Sequence, residues 1–169
     1  AFSDIGRLFA SAAAQFEAQF LVDLITSNNG VGPVMSDNKK LFDAAHSNLA
    51  ASGGAISDTT LAAARLALRS QKGLDGKTPI DIAGKFLVVP AALESTAEKY
   101  LASIYPAQAA NVNPFAGKLT LIVDPRLDAQ SATRWYVAAD PVLFPSIEYA
   151  YLAGNEGVQV ETRAGFEVD

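Results

Sequence analysis

The stretch SDIGRLFASAAAQFEAQFLVDLITSN, Ser3 to Asn28, constrains the fold more than any other part of the chain. Ile5, Leu8, Phe9, Ala12, Ala13, Phe16, Phe20, Leu21 and Leu24 recur at the period of an α-helix. Arg7, Ser11, Gln15, Gln19 and Asp23 fall on the opposite side. Ser3 can cap the start, and Asn28, Asn29 and Gly30 tolerate the left-handed turn that ends a helix. About 24 helical residues span about 36 Å, which is long for a domain of this size. Phe16 and Phe20, one turn apart, call for a substantial partner surface.

After this rod, VGPVMSDNKKLFDAAHSNLAASGGA is rich in Gly, Ser and Asn and predicts an irregular excursion with a short helical turn. ISDTTLAAARLALRSQKG predicts a second helix, capped by Ser57, stapled by Ile56 against Leu61 and terminated by Gly73. Arg65, Arg69 and Lys72 lie in its second half, where the helix dipole favours cations. GKFLVVP is a continuous apolar run and predicts a strand buried on both faces. Pro90 ends it and opens a third helix over AALESTAEKYLASIYP, which Pro106 stops. KLTLIVDP and RWYVAADP predict two strands closed by Asp124-Pro125 and Asp140-Pro141. SIEYAYLAGNEGVQVETR alternates on both sides of Gly154-Asn155-Glu156-Gly157 and predicts a hairpin. The order helix, loop, helix, strand, helix, strands indicates α+β rather than a doubly wound sheet.

Composition narrows the function. The chain has 169 residues, enough for one domain or one lobed domain that needs no covalent staple. It has no cysteine, which removes disulfides, zinc–thiolate sites and cysteine nucleophiles together. A net charge of −5 disfavours sequence-specific nucleic-acid binding. No uninterrupted run of about 18 apolar residues predicts a membrane span. The chain opens on Ala1 without an initiator Met and closes inside an alternating stretch, so it is expected to be a fragment of a longer polypeptide.

His46, the single histidine, is the one residue around which a reaction site could be built. Asp43 stands three residues before it and Ser47 directly after. Adjacent side chains point apart, so Ser47 is badly placed as a nucleophile for His46, and no Gly-x-Ser-x-Gly elbow occurs. Asp43 and His46 can share a helix face, but two ligands do not close a metal site. The bland reading is a loop histidine bonded to backbone. The rival is a small hydrolase or ligand-binding domain centred on His46. SDNK at Ser36 to Lys39 overlaps two triplets of penicillin-recognising enzymes that are separate elements there, and KTP at Lys77 is not Lys-Thr-Gly. Neither NNGVGP nor ASGGA is a phosphate loop. Glu94 and Glu98 read as a solvated helix face. The residues therefore predict no catalytic, cofactor-binding or metal-binding set and no cofactor.

Charge is unevenly spread. Tyr136 to Asp169 holds Asp140, Glu148, Glu156, Glu161, Glu167 and Asp169 against Arg163 alone. Arg65 to Lys85 holds Arg65, Arg69, Lys72, Lys77 and Lys85 against Asp75 and Asp81. Such asymmetry can guide neighbouring copies into register, or it can be ordinary solvated surface.

GPVMSDNKKLFDAAHSNLA, TTLAAARLALRSQKGLDG, FLVVPAALESTAEKYLASI and RWYVAADPVLFPSIEYAYLAGNEGVQVETRAGFEVD together resemble the major head subunit family of Mu-like phages and prophages. The most specific pieces are LFDAAHSNLA, LVVPAALE and YLAGNEG. The chain departs at Asp43 and Ser47, where relatives often carry His and Gly. The family is similar to tailed-phage capsid proteins of the Hong Kong 97-like fold. The resemblance implies a non-enzymatic structural protein of the virion, made in the bacterial cytoplasm. It implies self-assembly, through hexamers and pentamers, into an icosahedral shell that packages DNA, with a prohead protease and scaffold as further partners. It also implies a peripheral-type domain over 1–84 and 142–169 that contains the Ser3–Asn28 spine helix, and an axial-type domain over 85–141. The N-terminal arm and extended loop would precede Ala1. This piece alone is expected to be a monomer or a weak oligomer.

Overall fold

A computed structural model describes residues 5–102, 115 and 117–154. The chain forms two compact units, Ala1–Leu21 with Ile147–Asp169, and Val22–Ser146.

The long helix, α1 (Ile5–Gly30), begins in the first unit and ends in the second. Its helical backbone runs to Thr26. Ser27 then turns extended (ψ 165°), and Asn28 and Asn29 adopt left-handed φ values of 52° and 61°. The expected stop is therefore present, made by the two residue types that tolerate it best after glycine. Ser3, the expected cap, lies outside the described residues. In the first unit Leu8, Phe9, Phe16 and Phe20 are all more than half exposed. The partner surface expected for Phe16 and Phe20 is not found among the described residues. By length and composition alone α1 could cross a membrane. Reading for uninterrupted apolar runs misses this because Arg7, Glu17 and Asp23 break the run. In the same unit Tyr151 donates its hydroxyl to Glu17 Oε1 at 2.8 Å and meets Tyr149 edge-on, ring centroids 5.7 Å apart. Residues 147–152, the first arm of the expected hairpin, carry no strand. Gly154 takes the positive φ of a turn (83°), and the second arm lies outside the described residues.

The second unit holds a three-stranded mixed sheet in the order β2-β1-β3. β1 (Gly84–Val89) is central. β2 (Thr120–Val123) runs parallel to it, Phe86 opposite Thr120 and Val89 opposite Val123. β3 (Tyr136–Ala139) runs antiparallel, Leu87 opposite Val137 and Val88 opposite Tyr136. A parallel pair needs a long crossover, and α3 (Glu94–Leu101) lies within it. α2 (Asp58–Arg69) precedes the sheet. Ile56, Leu61, Leu87, Val89, Ala97 and Phe115 form one buried cluster, which joins both helices to one face of β1.

Three sequence expectations need adjustment. β1 buries Leu87 and Val89 fully, while Phe86 and Val88 are half-buried. The helices contribute to the Leu87 and Val89 side, so the run is continuous in hydropathy but not in burial. α2 ends at Arg69, short of Gly73, because Gln71 and Gly73 already pair across a turn with Ile80 and Thr78. α3 ends at Leu101 with Ala102 extended, and Pro106 lies outside the described residues. The start of α2 is as expected. Ser57 and Thr60 form a reciprocal capping box, and Ile56 and Leu61 share the core cluster.

Candidate functional site

His46 sits on two small turns whose sequences dictate them. Val34 and Lys40 bridge antiparallel. Met35 N donates to Lys39 O at 2.7 Å, and Asn38 turns the chain with a left-handed φ of 63°. Asp37 Oδ1 accepts from Lys39 N at 3.0 Å, so SDNK is a turn. A short 3-10 turn over Ala44–His46 follows, capped by Asp43, whose Oδ1 accepts from Ala45 N at 2.9 Å. Asn48 ties both ends, accepting from Asp43 N and donating to Leu41 O. Gln71, beyond α2, donates from Nε2 to His46 O and Ser47 O, both at 3.1 Å.

The imidazole closes this arrangement. Nδ1 lies 3.2 Å from Leu41 O and Nε2 lies 2.8 Å from Asp37 Oδ2. Both partners are acceptors. A neutral imidazole carries one N–H, so only the imidazolium donates to both. The Asp37 hydrogen bond, then that to Leu41 O, raises the His46 pKa against a small desolvation effect, with the charges of Asp37 and Asp43 adding to the rise. Asp37 is lowered in return, first by His46 and then by Lys39 N. In that doubly donating form the ring has no lone pair with which to take a proton. Ser47 takes a left-handed φ of 54° as the end of the 3-10 turn.

The structure thus brings His46 to Asp37, nine residues away, while Asp43 caps the turn and contributes only its charge. Among the described residues, no group of three or more His, Cys, Asp or Glu could hold a metal ion. The expected backbone-bonded loop histidine is therefore found, with a carboxylate in addition. The signal for Asp37 was present in the Asp-Asn pair, whose tolerance of a left-handed turn allows a tight hairpin. The signal for Gln71 was not local.

Two surface features complete the picture. Ala62, Arg65, Leu66 and Arg69 line an open depression on α2. Arg65 lies over the Phe115 ring, 4.9 Å from its centroid, and Arg69 pairs with Asp81 at 2.5 Å. Lys85 pairs with Asp140, which, followed by the hydrogen bond from Val142 N, lowers the Asp140 pKa. A second crevice is lined by Thr26, Leu127, Gln130, Ser131, Arg134 and Tyr136 and is too narrow for a water molecule. The Tyr136 hydroxyl is buried there without a hydrogen-bond partner among the described residues. Burial raises its pKa, and nearby Arg134, outside hydrogen-bonding geometry, pulls the other way. Arg134 instead donates to Asn29 O at 3.2 Å, at the end of α1.

A family model described as phage capsid protein matches residues 1–169. Comparison with curated proteins and with solved structures found no match.

Proposed function

The chain belongs to the phage capsid protein family, and from that premise we propose that it is the major head subunit of a Mu-like phage or prophage, with a Hong Kong 97-like fold. Membership makes it a structural capsid subunit, a component of the virion that assembles with other copies. The finer reading divides it into a peripheral-type domain over 1–84 and 142–169 and an axial-type domain over 85–141. Hexamers and pentamers of the complete subunit close an icosahedral shell around DNA. The subunit is made in the bacterial cytoplasm, meets a scaffold and a prohead protease during assembly, and does no chemistry itself.

The observation that carries this reading is the family match over the whole chain. The mixed α+β architecture with a long N-terminal helix is compatible with it. The His46 geometry supports the absence of catalysis, since both ring nitrogens are committed to acceptors in a surface turn. Negative-stain imaging of the full gene product tests the proposal. Closed shells are expected, and they should persist in His46→Ala. A gene product that yields only small soluble species under all assembly conditions refutes it.

A further inference from the structure

Ala62, Arg65, Leu66 and Arg69 follow one another at i, i+3, i+4 and i+7, so they make one strip along α2. The strip lines an open depression, and Leu66 at its centre is 67% exposed. Both arginines are exposed, and each guanidinium already has a partner within the chain. Arg65 is stacked on Phe115, and Arg69 reaches Asp81 in a pair exposed on both sides. Such a pair exchanges readily for another carboxylate. An exposed leucine between two arginines fits a chain segment that carries both acids and apolar side chains.

One segment of this chain has that composition. Residues 156–169 hold Glu156, Glu161, Glu167 and Asp169 against Arg163, with Val158, Val160, Phe166 and Val168 among them. Asp140 is engaged with Lys85 and Glu17 with Tyr151.

We propose that the Arg65–Leu66–Arg69 strip of α2 docks the acidic segment 156–169 of a second copy of the chain. The inference rests on the capsid reading, because that reading supplies the second copy. It gives the uneven charge of the sequence a specific role, the recognition of one subunit by the next.

Charge exchange tests it. Two proteins, R65E/R69E and E167K/D169K, are compared with the unsubstituted chain by sedimentation velocity at low and high ionic strength, with far-UV circular dichroism confirming that each is folded. The unsubstituted chain should self-associate weakly, and salt should suppress the association. Each variant alone should associate about tenfold more weakly. An equimolar mixture should recover the original strength, since each strip then meets a complementary segment. A chain that is monomeric throughout, variants that associate unchanged, or a mixture that fails to recover would each overturn the proposal. Monomers that only a joint R65E/R69E/E167K/D169K chain leaves undisturbed would place the contact within one chain and overturn it too. Imaging separates this failure from that of the capsid reading. Normal shells from an R65E/R69E gene product sink the docking strip alone, whereas no shells from the unsubstituted product sink the reading beneath it.

Discussion

Gly30→Ala probes the junction where α1 stops. Gly30 has φ +81°, and a Cβ built there would stand 1.4 Å from Arg134 Nη1 and 2.1 Å from its Cζ. A methyl and a guanidinium cannot share that space. The arginine side chain is flexible, so it should swing out and give up its bond to Asn29 O rather than force the backbone apart. Two costs follow. Holding an alanine in the left-handed region costs about 1–2 kcal/mol, and losing the hydrogen bond costs about 1 kcal/mol. The stiffer unfolded chain returns about 0.4–1 kcal/mol. The net destabilisation is therefore about 2 kcal/mol, a fall of roughly 4–8 °C in melting temperature for a chain of this length. Thermal unfolding followed by circular dichroism measures it. The decisive control is Arg134→Ala. In that background Gly30→Ala should cost only the backbone part, about 1 kcal/mol. Equal costs in both backgrounds would show that the guanidinium is not the obstacle, and a neutral Gly30→Ala would refute the argument altogether.

Ser57→Ala should destabilise by about 1 kcal/mol in urea unfolding, while Ser57→Gly should cost only a few tenths; equal losses would show that the capping box adds nothing. The single histidine makes His46 easy to follow by NMR, and its titration midpoint should lie above the usual value, returning toward it in Asp37→Asn. Because the folded pKa is raised, the stabilisation is complete below the unfolded pKa of about 6.5 and fades as pH rises through the folded value; a midpoint at or below 6.5 would contradict the double-acceptor geometry. Asp75 is held down to about 2 by the Thr78 hydroxyl, then by the amides of Lys77 and Thr78. Its folded pKa is depressed, so the turn over 75–78 should be fully supported above about pH 4 and loosen as pH falls through about 2, an acid-range change in the Thr78 amide shift that Asp75→Asn should abolish.

What could be read from sequence was local. The asparagine stop of α1, the Ser57 box of α2 and the two Asp-Pro strand ends each depend on residues within a few positions of one another. A preference acting over so short a range survives folding. What could not be read was set by the sheet and the turns. The acid nearest His46 in sequence is Asp43, but a left-handed Asn38 carries Asp37 to its Nε2 instead. The charge imbalance between Arg65–Lys85 and the C-terminal part was visible, yet the Lys85–Asp140 pair spans 55 residues and forms only once β1 and β3 are side by side. The apolar run of β1 gave no hint that Leu87 and Val89 would be buried while Phe86 and Val88 stay half-buried, since hydropathy measures a residue and burial measures its surroundings.

Asp128 has a role that reaches beyond its own turn. Its carboxylate accepts from Ala91 N at 2.7 Å and Ala92 N at 3.1 Å, across 37 and 36 residues. The entry to α3 is thus tethered by a group that arrives only after β2 has been laid down. The start of the crossover is therefore held by a residue beyond β2, and deuterium uptake at Ala91 and Ala92 should quicken in Asp128→Ala.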